Sequence, residues 1–109
     1  MPTPEAENEG LQPLAQIDRV IHEPARLAIL GLLSGLVSAD FLFVQNQTGL
    51  TGGNLSSHMT RLEEAGYVEV TKEFVDRIPR TLLRATKKGR AALRQYKQSL
   101  LRILSSLPG

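Results

Sequence analysis

Apolar residues return every three to four positions at Leu11, Leu14, Ile17 and Ile21, the stripe of an amphipathic helix running to about His22. Pro24 then suits the first turn of a second helix, where its missing N–H would be unbonded in any case. The stretch PARLAILGLLSGL is apolar almost all round, which marks that helix as central to the core. Ser34, Gly35 and Ser38 loosen the chain before DFLFVQNQTG, which reads as a short third helix with Phe41, Val44 and Thr48 facing inward. Gly49 fits a left-handed helix end, Leu50 an apolar plug, and Thr51 the N-cap of a fourth helix over about 52–65. In that helix Leu55, Met59 and Leu62 share one side. Gly53, Ser57, Thr60 and Glu64 project opposite, flanked by Asn54, Ser56 and Arg61. After Gly66, YVEVTKEF alternates as a strand does, VDRIP supplies a turn, and RTLLRA returns as a second strand, giving a hairpin with a basic tip. Thr86 can cap a last helix to about Leu107, with a stripe of Leu93, Tyr96, Leu100, Ile103, Leu104 and Leu107.

The expected fold is therefore mainly α with a small β-hairpin, an α+β domain over residues 11–109. A chain of 109 residues holds one core of modest size. Residues 1–10 carry three glutamates and two prolines, cannot bury enough apolar surface to order themselves, and are expected to form a disordered acidic tail. No apolar run approaches the roughly 20 residues of a membrane span. The N-terminal residues also lack the basic-then-apolar plan of a signal peptide, so a cytoplasmic protein with no membrane partner is expected. With no cysteine and only two histidines, neither a thiolate nor a metal site is expected, and no cofactor.

The net charge of +2 conceals a polarity along the chain. Residues 1–70 carry three basic groups against nine acidic ones, a balance of −6, and residues 71–109 carry ten against two, a balance of +8. A basic C-terminal third suits an anionic partner such as nucleic acid, and equally suits a solvated helix rich in lysine and arginine. The helices around Gly49 sharpen the choice, because two helices joined by a tight glycine turn make a helix-turn-helix, and a hairpin after it makes a winged helix.

The order His22-Glu23-Pro24 with Arg26, Ile29, Leu30, Leu32 and Leu33, then Gly49-Leu50-Thr51, Gly53 to Met59, and Leu62 to Val68, resembles the ArsR-type and MarR-type winged-helix transcriptional regulators. Phe74, Pro79-Arg80-Thr81, Thr86 and Gly89-Arg90 continue the resemblance to about Leu107. It implies a dimer that binds double-stranded DNA, with each fourth helix in a major groove and each wing, about 74–80, on the backbone or in a minor groove. It also implies that the first and last helices are dimerisation helices, through Leu11, Leu14, Ile17, Ile21, Leu93, Tyr96, Leu100, Leu104 and Leu107. Their apolar stripes agree, since exposed leucine-rich faces invite burial.

The candidate DNA-binding residues are Thr51, Gly53, Asn54, Ser56, Ser57, His58, Thr60 and Arg61 on the fourth helix, Lys72, Arg77 and Arg80 on the wing, and Lys87 and Lys88 beyond it. Short polar groups at a helix start can approach base edges and phosphates, and Gly52 and Gly53 let backbone N–H groups meet a phosphate. Asn54 suits adenine. His58 borders the apolar face and suits either a half-buried structural role or a DNA contact. Arg77 suits a narrow minor groove, and Lys87 and Lys88 oppose the dipole of their helix unless an anion offsets them. Leu42 and Phe43 stand where relatives usually carry a cap and a charge. That leaves the third helix's start open and offers an effector or partner contact.

Cysteine-based metal sensing, common among ArsR-type relatives, is impossible in this chain, so no effector carries over from the resemblance. The second reading is a winged helix used only for protein contact. An enzyme is distant, because no nucleophile-base-acid set, phosphate loop or metal-ligand spacing is present.

Overall fold

The computed structural model describes residues 12–109. A single helical turn, α1 (Gln12–Ala15), leads through an irregular segment to α2 (Pro24–Ser34). A two-residue strand β1 (Ala39–Asp40) runs straight into α3 (Phe41–Thr48), and a tight turn leads to α4 (Gly52–Glu64). The wing follows as β2 (Val68–Val75) and β3 (Ile78–Ala85), and α5 (Lys87–Ser106) closes the chain.

The first helix is much shorter than its apolar spacing predicts. Asp18 is the reason: its carboxylate accepts the backbone N–H groups of Val20 and Ile21, a local turn that competes with the helix ladder. Leu11 and the expected tail lie outside the described residues. The stripe also has a different destination, since Ile17 and Ile21 are buried in the chain's own core, as are Leu93 and Tyr96 of α5. The expectation that all of these lie on an exposed dimer surface is corrected. Leu14, Leu101, Leu104 and Leu107 remain exposed, with Leu100 and Ile103 half-buried.

α2 is central as expected. Glu23 caps it by accepting the Arg26 N–H at 2.8 Å, and Ile29, Leu30 and Leu33 are fully buried, each contributing roughly 1.5–3 kcal/mol. Asp40 settles the start of α3 by accepting the N–H groups of Leu42 and Phe43. Gly49 ends that helix at φ 73°, in the left-handed region that glycine enters without a steric penalty.

The sheet has three strands in the order β1-β3-β2, all antiparallel, rather than the two expected. β1 pairs Ala39 with Leu83 and Asp40 with Leu82, and two residues are too few to show alternation. The wing turn is tighter than VDRIP suggests, because Val75 pairs with Ile78 and leaves only Asp76 and Arg77 between them. Both have positive φ, 51° and 68°, as a two-residue type I′ turn requires. The register puts Val70, Lys72, Leu83 and Thr81 on the face toward α4, where with Ser56, Met59, Thr60 and Glu63 they line an open cleft of about 380 Å³. Glu69, Glu73, Arg80 and Arg84 fall on the opposite face.

Candidate nucleic-acid interface

The α3–α4 pair builds the candidate face. Leu55, Met59 and Leu62 are buried and pin α4 to the core, so the side of the helix opposite them faces outward. Thr51 caps the helix, its hydroxyl accepting the Asn54 N–H at 3.1 Å. Gly53, Asn54, Ser56, Ser57, Thr60 and Arg61 are exposed. Thr60 turns its hydroxyl back to the Ser56 carbonyl at 3.0 Å. Among the described residues no hydrogen bond or ion pair within the chain engages the side chains of Asn54, Ser57 or Arg61. A Cβ added to Gly53 would meet open space, so no internal packing accounts for a residue that weakens a helix by about 1 kcal/mol.

His58 does not share this outward face. Its side chain is 24% exposed, and its Nδ1 lies 3.2 Å from the Arg26 guanidinium and 3.6 Å from the Glu23 carboxylate. Burial pushes the Glu23 carboxyl up, but the backbone N–H groups of Arg26 and Ala25, with the Arg26 charge, together hold it below the ordinary range.

The wing is less basic than its composition suggests. Arg80 donates to Asp40 at 3.1 Å, and Arg84 pairs with Glu69. For Asp40 the burial effect is again outweighed by the N–H groups of Phe43 and Leu42 and by Arg80, so its carboxyl lies below the usual value. Lys72 and Arg77 are exposed and outside these pairs, Lys72 toward α4 and Arg77 at the tip. Phe74 and Ile78 are also strongly exposed, at 76% and 66%. Lys87 and Lys88 occupy the first turn of α5, and the Lys88 ammonium lies 5.9 Å from the centre of the Tyr67 ring. That ring partly offsets the unfavourable helix dipole.

The arrangement thus gathers Thr51, Gly53, Asn54, Ser56, Ser57, Thr60 and Arg61 on one helix face, with Lys72 across the cleft and Arg77 on the wing. It diverts Arg80 to the far face of the sheet and turns His58 inward. Arg26 and Asp40, absent from the candidate site residues, organise these neighbours. Only their positions as cap-adjacent charges hinted at a role.

A buried-anchored helix with a polar outer face, preceded by a glycine turn and followed by a wing, defines a winged-helix DNA-binding protein. The chain belongs to the winged helix DNA-binding domain family, which it matches over residues 25–104. It is 33% identical over 89 residues to an uncharacterized protein of Methanocaldococcus jannaschii, covering 82% of this chain and 97% of that one. A solved structure of a transcriptional regulator homologue from Pyrococcus horikoshii OT3 matches with a TM-score of 0.82 at 32% identity, over 93% of this chain and 99% of that chain. A MarR-family transcriptional regulator from Rhodococcus sp. RHA1 shares the fold at a TM-score of 0.58 and 19% identity, over 92% of this chain and 71% of that chain. The protein is accordingly a DNA-binding protein of the winged-helix class. No helix among the described residues is long and apolar enough to cross a membrane.

Proposed function

We propose that the protein is a homodimer that recognises a two-half-site operator, with α4 of each protomer in a major groove and each wing against the backbone or a minor groove. The observation that carries this reading is the outer face of α4: Asn54, Ser57 and Arg61 are exposed and unengaged among the described residues, beside a Gly53 whose added Cβ would meet none of them. Such a face suits base edges and phosphates. Asn54 and Ser57 set base preference, with Thr51, Ser56, Thr60 and Arg61 around them. Lys72, Arg77, Lys87 and Lys88 supply charge to phosphates, and Arg80 stays with Asp40. The dimer forms through the exposed Leu14, Leu101, Leu104 and Leu107, with the half-buried Leu100 beside them.

Titration against DNA from beside the protein's own gene and against random DNA, at two salt concentrations, tests this reading. A specific site bound at least a thousandfold tighter than random DNA, on the order typical of operators, is expected. Equal, weak and strongly salt-dependent binding to all sequences would refute it. The exposed Phe74 and Ile78 on the wing favour the second reading, docking to another protein, and that outcome would bring it forward.

A further inference from the structure

The segment 18–23, between α1 and α2, is fastened on every side by polar side chains. Asp18 accepts the Tyr67 hydroxyl just beyond the end of α4. His22 shares a 2.9 Å hydrogen bond with the Tyr96 hydroxyl of α5, and their rings lie 5.8 Å apart. Arg26, in the first turn of α2, donates from Nε to the Val20 carbonyl at 2.5 Å and from a terminal nitrogen to the Arg19 carbonyl at 3.5 Å. Its other terminal nitrogen reaches His58 on α4.

A guanidinium has no acceptor, so where the His58 Nδ1 bonds to Arg26 it is the accepting nitrogen and the ring N–H lies on Nε2, whereas an N–H on Nδ1 would face the Glu23 carboxylate 3.6 Å away. One planar fork therefore holds α2, the 18–23 segment and α4 in a single orientation. The apolar anchors Leu55, Met59 and Leu62 press α4 onto the core, but dispersion contacts are non-directional. Interdigitated packing limits the roll of the helix about its axis, and a directional bond at the edge of the apolar stripe adds a fixed angular reference to it.

We infer that His58 is a positioning residue: by accepting from Arg26 through Nδ1 it sets the roll of α4, and through the 18–23 segment it ties that roll to α5 at Tyr96. The consequence for operator recognition rests on α4 being the reading helix, as proposed above. The positioning itself does not. The 18–23 segment is thus a polar link between α4 and the helix that carries the exposed Leu101 and Leu104.

The isosteres of histidine separate this role from a direct DNA contact. His58→Asn places an acceptor where Nδ1 stands, and His58→Gln places a polar group where Nε2 stands. In the DNA-free protein, imidazole nitrogen resonances of the wild type should show an unprotonated Nδ1 and a protonated Nε2. Amide exchange along α4 should be near wild type in His58→Asn and faster by roughly tenfold or more in His58→Gln, the order expected for one charge-assisted bond. Operator affinity should follow the same ranking, with the salt slope unchanged in both variants. The opposite tautomer, or wild-type exchange in both variants, would overturn the inference. So would a His58→Gln protein that binds as wild type beside a His58→Asn protein whose affinity falls and whose salt slope drops by about 1, the signature of a phosphate contact. If the wild type binds no operator at all, the proposed function fails, and the resonances and exchange rates still decide the positioning.

Discussion

Gly89 shows how one residue can hold two elements together. A Cβ placed there would stand 2.1 Å from the Tyr67 carbonyl oxygen, which also accepts the Thr86 N–H, while the Thr86 hydroxyl donates to the Gly66 carbonyl at 2.6 Å. The first turn of α5 therefore rests directly on the backbone that enters β2. Alanine ordinarily strengthens a helix relative to glycine by about 1 kcal/mol, but here Gly89→Ala must push α5 away. A net destabilisation of about 3 kcal/mol is expected from overpacking, measured by urea unfolding. Tyr67 makes a second prediction at this scale. Burial first, then the hydrogen bond and charge of Asp18, push its hydroxyl up from 10.0 to about 12. A raised value means that the folded state favours the protonated form, so the contribution is complete below pH 10 and lost as pH rises through about 12. Stability of the wild type should thus fall more steeply between pH 10 and 12 than that of Tyr67→Phe, in parallel denaturation series. Equal slopes would show that the Asp18 bond does not discriminate between the two forms.

At the level of elements, the wing joins a structural cost to a proposed binding role. Arg77 sits at φ 68°, a region that costs a non-glycine residue about 1–2 kcal/mol. Asn-Gly or Asp-Gly is the pair such a turn prefers, and the chain has Asp76-Arg77. Arg77→Gly should therefore raise thermal stability, by about 0.5–1 kcal/mol once glycine's greater unfolded-state freedom is set against it. The same change should weaken DNA binding and lower the salt slope by about 1. A variant that is both more stable and unaltered in DNA binding would remove Arg77 from the interface. The wing's legibility was uneven for a physical reason. Alternation and a proline announced a hairpin, but Pro79 pairs with Phe74 within the ladder. It sits one rung beyond the hydrogen-bonded closing pair, where β1 does not reach, so its missing N–H breaks no ladder bond.

For the whole molecule, the last turns of α5 outrun the core and leave Leu101 and Leu104 at 62% and 53% exposure. Replacing both by glutamate should produce monomers in sedimentation at micromolar concentration. Stability of the winged-helix body should change by no more than about 0.5 kcal/mol, as for other surface substitutions. Operator affinity should drop on the order of a hundredfold, because two linked half-sites become independent. A wild type that already sediments as a monomer would exclude pairing through this surface.

The helix-turn-helix was legible from the chain because its signals are local. Thr51, Gly49, Asn54 and the Leu55-Met59-Leu62 stripe act within one turn of themselves, and capping, left-handed glycine and helical periodicity need no distant partner. The same holds for Thr86 as the cap of α5. What the chain could not disclose depends on residues far apart in sequence. The stripe from Leu14 to Ile21 looked like one long helix for a partner, and only the folded chain shows Asp18 interrupting it and Ile17 and Ile21 turned into the core. Arg80 read as a free cation until Asp40, forty positions earlier, was placed beside it. His58 read equally well as structural or DNA-facing, and the Arg26 contact 32 positions away turns it inward. Apolar spacing states that a face will be covered, whereas which element covers it, and which charges are thereby paired, is decided by tertiary packing.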